Sequence, residues 1–102
     1  MPWIPVASKE AIPIGSALAV EVGAREVALF HLPDGVYATS NVCPHQGGPL
    51  SEGQIDGEIV VCPWHQWRFD IKTGCAVGRS KLKIDTYPVL EEAETLSLLF
   101  PE

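Results

Sequence analysis

Two short segments, Cys43-Pro44-His45-Gln46 and Cys62-Pro63-Trp64-His65, stand either side of residues 47–61 and decide how the rest of the chain is read. The first is a Cys-x-His and the second a Cys-x-x-His, so each offers one thiolate and one imidazole to a common point. Two donor arrangements use such a set. One is a mononuclear Cys2His2 zinc site; the other is a two-iron, two-sulfide cluster in which two Cys hold one iron and two His the other. A zinc finger groups its two Cys in one knuckle and sets its two His on a helix. Here each knuckle supplies one of each, and the surrounding Pro and Gly oppose a helix.

Working outward, short apolar runs alternate with turn signals. Upstream, Trp3-Ile4-Pro5-Val6-Ala7 suits an edge strand because Pro5 cannot donate to a ladder. Ser8–Ala11 can form one helical turn, which Pro13 and Gly15 end. Ala17–Val22 and Glu26–Leu32 read as antiparallel strands joined at Gly23-Ala24-Arg25. Pro33-Asp34-Gly35 is a turn, since Pro presets the first φ and Gly accepts a positive one; Val36–Thr39 then leads to Cys43. Downstream, Gln54–Gly57 reads as a turn, Glu58–Val61 as a strand carrying Cys62 at its end, Trp67–Asp70 as a strand and Ile71–Gly74 as a turn. Lys81–Asp85, Tyr87–Leu90 and Thr95–Phe100 complete the set, with Glu91–Glu94 as a solvated hairpin tip. Short strands at even spacing predict an all-β fold, a small antiparallel sandwich or barrel.

The chain's 102 residues are enough for one domain, 1–102, whose cluster-binding part spans about 41–78. A net charge of −6, from 13 acidic and 7 basic residues, argues against nucleic acid and against an anionic membrane as partner. No apolar run has the length of a membrane span, and Met1-Pro2-Trp3 opens without a basic region or signal core, which predicts a cytoplasmic protein. With Cys43 and Cys62 committed as ligands, Cys75 is alone and no intrachain disulfide is expected.

The ligand segments and their flanks, Gly47-Gly48-Pro49-Leu50-Ser51-Glu52-Gly53 and Trp67-Arg68-Phe69-Asp70, resemble the Rieske family over at least residues 26–90. The resemblance implies a Rieske-type β fold, with a cluster-binding subdomain built from two ligand loops. It also implies one 2Fe-2S cluster, with Cys43, His45, Cys62 and His65 as cofactor and metal ligands, and no catalytic residue. The function implied is one-electron transfer, that of a low-potential Rieske ferredoxin passing electrons from an NAD(P)H-dependent flavoprotein reductase to a terminal oxygenase. The chain is too short to add the mononuclear-iron domain in which Rieske oxygenases oxidise their substrates. The small subunit of an NAD(P)H-dependent nitrite reductase, working with its large subunit, is a second reading, favoured by Leu32-Pro33-Asp34-Gly35-Val36-Tyr37-Ala38. A zinc-stabilised Cys2His2 interaction module is a third.

The donor set bears on potential. Two ferric ions, two sulfides and two thiolates sum to zero charge when the imidazoles are neutral, so an added electron meets less repulsion than at an all-Cys cluster. Rieske centres accordingly span about −150 to +300 mV, against about −400 mV for plant-type ferredoxins. High-potential relatives add a disulfide between the loops, where this chain has Gly48 and Trp64, and hydroxyl donors where it has Trp67 and Phe69. The low end of the range is expected. The chain departs from relatives at Gln66, where many have Gly, and at Ala76–Leu82, where dioxygenase ferredoxins often have Pro.

Other residues have plainer readings. His31, between Phe30 and Leu32, is a strand histidine rather than a ligand. Cys75 is expected to be a small buried hydrophobe, and Trp64 and Trp67 to shield the cluster. Arg68, Lys72, Arg79, Lys81 and Lys83 form either a docking patch or a solvated edge.

Overall fold

The structure, a computed structural model, describes residues 3–42, 49–63 and 67–99, and of Arg79, Ser80 and Lys81 the backbone alone. Three of the four expected ligands, Cys43, His45 and His65, therefore lie outside the described residues, as do Trp64 and Gln66. The strands are β1 (Trp3–Ser8), β2 (Ala17–Val22), β3 (Arg25–Leu32), β4 (Gly35–Ser40), β5 (Gln54–Asp56), β6 (Ile59–Val61), β7 (Arg68–Asp70), β8 (Cys75–Ala76), β9 (Arg79–Lys83), β10 (Thr86–Tyr87), β11 (Val89–Glu92) and β12 (Thr95–Leu99). They form three antiparallel sheets, ordered β1-β12-β11, β10-β4-β3-β2 and β5-β6-β7-β8-β9.

The central strand is β3. Side chains alternate across a strand, and here both faces are buried: Ala28, Phe30 and Leu32 enter one core and Val27 and Leu29 another. The run from Val27 to Phe30 is accordingly apolar without interruption, the pattern of a strand covered on both sides. The first core joins β3 to the five-stranded sheet, whose inward row Ile55–Val60–Phe69–Ala76 is assembled from residues directly opposite one another on β5 to β8. The second joins β3 and β4 to the three-stranded sheet through Val36, Ala38, Tyr87, Leu96 and Leu98.

The all-β expectation holds, with differences in detail. Gln54–Asp56 is not a turn but β5, paired with β6, and the turn falls one step later at Gly57-Glu58. The expected strand Tyr87–Leu90 breaks at Pro88, so that β10 joins the four-stranded sheet and β11 the three-stranded one. Lys81–Asp85 begins earlier and ends sooner, as β9. The exposed hairpin tip expected over Glu91–Glu94 narrows to Ala93-Glu94, because β11 runs through Glu92, and Glu91 Oε2 accepts a hydrogen bond from Val36 N at 3.0 Å. Cys75 is exposed rather than buried. Its neighbour Ala76 faces the core opposite Phe69, and strand alternation turns Cys75 outward.

Candidate metal centre

Chain direction sorts the turns between two ends of the molecule. β4 and β6 run toward the expected ligand segments and β7 runs away from the second. Residues 40–42, 49–53, 61–63, 67 and 68 therefore gather at one end, and the turns after β3, β5 and β7 at the other.

At the ligand end, each segment is closed by a hydrogen-bonded stem. Val42 and Pro49 form an antiparallel bridge, and Leu50 N donates to Asn41 O at 2.8 Å, so the chain leaving at Val42 and the chain returning at Pro49 are held side by side. In the second, Cys62 N donates to Trp67 O at 2.7 Å. The two stems touch. A Cβ on Gly53 would lie 2.1 Å from Val61 O, so only glycine lets the end of the 3₁₀ turn Leu50–Glu52 approach the strand that carries Cys62.

Cys62 is fully buried within the first core, at the end of β6, and Trp67 packs against the same core. These features fit an iron–sulfur centre. Two stems fixed against each other present two short segments, each with one thiolate and one imidazole, and Cys62 sits where water is excluded. When bound, such a cluster takes up and releases one electron. Among the described residues Phe69 stands fully buried in the core that holds Cys62, so the ring expected to replace a hydroxyl donor is packed and apolar.

The remaining expectations separate by place. His31 is a satisfied strand histidine whose Nδ1 donates to Ile12 O at 2.6 Å. Lys72 lies at the far end, where its Nζ pairs with Asp34 Oδ2 at 2.6 Å and Glu58 Oε2 at 2.8 Å; the hydrogen bonds to Asp34, first, and Glu58 hold its pKa above the ordinary lysine value. It therefore leaves the proposed basic patch. Arg68 is exposed at the ligand end. Beside it, Val77 N donates to Arg68 O at 2.9 Å, and Val77 and Val42 are 52% and 45% exposed, an apolar contribution to that surface not anticipated from the sequence. Asn41 carries no signal in the sequence, because its partners lie 10 and 15 residues away and no local pattern announces them.

An all-β fold with two stem-closed Cys/His segments at one end defines a cluster-binding electron-transfer module. The Rieske [2Fe-2S] domain family matches residues 2–88, and the chain belongs to that family. It is 41% identical over 88 residues, 85% of either chain, to the ferredoxin component of the naphthalene 1,2-dioxygenase/salicylate 5-hydroxylase systems of a Ralstonia species. Among solved structures it resembles the ferredoxin of carbazole 1,9a-dioxygenase from Nocardioides aromaticivorans IC177, at a TM-score of 0.88 and 29% identity over 96% of this chain and 97% of that one. It also resembles a chain in the complex of reduced oxygenase and oxidized ferredoxin of carbazole 1,9a-dioxygenase, at 0.85 and 28% over 94% and 91%. A structure described as a nitrite reductase NADPH small subunit matches at 0.88 with 24% identity, over 98% of this chain and all of that one, and shares the fold. The protein carries a Rieske-type 2Fe-2S cluster and works in one-electron transfer. The departures at Gln66 and Ala76–Leu82 thus do not set it apart from dioxygenase ferredoxins. No helix among the described residues is long and apolar enough to cross a membrane.

Proposed function

We propose that this chain is the Rieske ferredoxin of a multicomponent oxygenase, in which Cys43 and Cys62 hold one iron and His45 and His65 the other. It accepts electrons from an NAD(P)H-dependent flavoprotein reductase and passes them singly to a terminal oxygenase, which places it in the cytoplasm with its nucleotide donor. The observation that supports this reading is the pair of stems at one end, Val42 against Pro49 and Cys62 against Trp67, between whose strands the sequence places the two Cys/His segments, with Cys62 buried. The similarity to dioxygenase ferredoxins over 85% of the chain supports the choice of acceptor. The fold match alone does not favour a nitrite reductase large subunit as partner.

Alanine at Cys43, His45, Cys62 or His65 is expected to abolish the visible absorption and the reduced-state EPR signal, because ligands hold a cluster to the fold and the cluster in turn holds the segments. His31→Ala and Cys75→Ser are expected to leave both intact; bleaching by Cys75→Ser would overturn the ligand set. Voltammetry is expected to give a midpoint near about −150 mV, the lower bound for such centres. A value above zero would refute the potential reasoning built on Trp67 and Phe69. Stopped-flow reduction of a Rieske oxygenase by the pre-reduced protein tests the acceptor, and absence of turnover with every oxygenase tried, alongside copurification with a large sirohaem subunit, would overturn it.

A further inference from the structure

The first ligand segment hangs from one side chain. Asn41, two residues before Cys43, is 2% exposed and spends both ends of its amide on bonds between distant parts of the chain. Its Oδ1 accepts from Ser51 N at 2.7 Å, on the returning side of the segment. Its Nδ2 donates to Glu26 Oε1 at 3.2 Å, at the start of β3. The backbone repeats both links: Asn41 N donates to Glu26 O at 3.0 Å and Leu50 N to Asn41 O at 2.8 Å. Asn41 thus joins the departing strand, the returning chain and the central strand at one point. A buried amide so placed does more than satisfy itself, because one bond is charge-assisted and the other holds a backbone N–H of the returning chain.

We infer that Asn41 is the positioning residue of the first ligand segment: its amide helps to fix Val42 and Pro49 side by side, the two ends between which the sequence places Cys43 and His45. The inference rests on Cys43 and His45 being ligands. Groups that orient metal ligands through hydrogen bonds typically control affinity by about 10- to 100-fold, and that is the scale expected here.

The pair Asn41–Glu26 allows a polarity swap. In Asn41→Asp the bond to Ser51 N survives but the donor to Glu26 is replaced by a second carboxylate, and two like charges meet at hydrogen-bond distance. Adding Glu26→Gln restores a donor on the opposite side and returns the net charge to that of the wild type. Cluster release to an iron chelator, followed by loss of visible absorption in the oxidised holoprotein, is expected to accelerate about tenfold or more in Asn41→Asp. It should return to within about twofold of wild type in the double variant, with the EPR line widths of the reduced cluster broadening and then narrowing in step. Asn41→Leu, which removes both bonds, should release the cluster at least as fast as Asn41→Asp. A merely structural residue would lower thermal stability while leaving the EPR line shape untouched. Wild-type release and line shape in Asn41→Asp, or failure of Glu26→Gln to restore them, overturns the inference. Failure of the ligand reading would announce itself separately, as the absence of a Rieske EPR signal from wild-type protein.

Discussion

The two ends of the molecule are built by different means. At the far end the three turns are tied by ionic groups: Lys72 bridges Asp34 and Glu58 and lies 5.2 Å from the Tyr37 ring centroid, and Tyr37 donates its hydroxyl to Asp34 at 3.2 Å. Nearby, Glu91 caps Val36 N and pairs with Lys9 at 2.8 Å. The links at the ligand end include backbone bonds, the Asn41 amide with its bonds to Ser51 N and the Glu26 carboxylate, and the close approach at Gly53, with Val42 and Val77 facing solvent. The contrast has a physical cause. Ion pairs beneath a docking partner would have to be desolvated when it binds, and the charged group among the links at the ligand end, the Glu26 carboxylate that accepts from Asn41 Nδ2, is exposed.

Matched core truncations give the largest test of this division. Leu50 and Leu32 belong to the same core and are both buried, Leu50 at the foot of the first ligand segment and Leu32 at the far end of β3. Either change to Ala is expected to cost about 2–5 kcal/mol in denaturant unfolding. Only Leu50→Ala should also hasten cluster loss at temperatures where the protein remains folded. Equal cluster loss in both would mean that the ends are not independent.

A smaller effect is expected from Glu91→Ala, which leaves Val36 N without its acceptor and costs about 1.5–3 kcal/mol, the value for a hydrogen bond to a charged group. The hydrogen bond from Lys9, first, and that from Val36 N hold the Glu91 carboxyl below its ordinary pKa, and Lys72 does the same for Asp34. A depressed folded-state pKa means that the unfolded chain binds protons first as pH falls. The stabilisation is therefore whole above the unfolded carboxylate value of about 4 and disappears as pH drops through the folded values. Urea unfolding from pH 6 to 3 should show this decline, and Glu91→Gln should flatten part of it; an unchanged slope would remove Glu91 from the far-end latch.

Much of this was legible in the sequence where the signal is local. The Cys/His spacing, the uninterrupted apolar run of β3 and the Pro33-Asp34-Gly35 turn each carry their meaning within a few residues. What escaped depends on pairing partners far along the chain. The exposure of Cys75 follows from Ala76 standing opposite Phe69, and the role of Glu91 from Val36, 55 residues away. Pro88 divides one apolar run between two sheets because it cannot donate to a ladder, a division visible only once both sheets exist. Asn41 looks like a loop residue until Glu26 and Ser51 are seen beside it.

Docking chemistry should divide along the same line. Arg68 is exposed beside Val77 at the ligand end. Arg68→Glu is expected to slow acceptor reduction about five- to tenfold at low ionic strength, with the difference shrinking as salt rises toward 0.5 M, because exposed charges are screened beyond about 10 Å at 0.1 M. Stopped-flow rates at several salt concentrations measure it. A salt-independent rate would assign the basic strip to a solvated edge.

The smallest expected effect is the most informative about where the partner sits. Lys72 belongs to the same stretch of basic sequence as Arg68, yet β7 carries the chain away from the ligand end between them, and Lys72 is already paired with two carboxylates. Replacing it by Met removes one positive charge and leaves Asp34 and Glu58 facing each other, so net charge and long-range attraction to an acidic partner change as they would for loss of any single lysine. Only the distance from the electron's exit differs. If attraction is local to the ligand end, Lys72→Met should leave the rate of acceptor reduction within about twofold of wild type at about 0.1 M salt and above, since four residues of extended chain set it about 13 Å from Arg68, beyond the Debye length of about 10 Å. The variant's thermal unfolding should still respond, because the far-end turns lose their shared cation. A Lys72→Met rate that falls with the same salt profile as Arg68→Glu would break the division between the two ends, and would place the partner along the whole outer face of the five-stranded sheet.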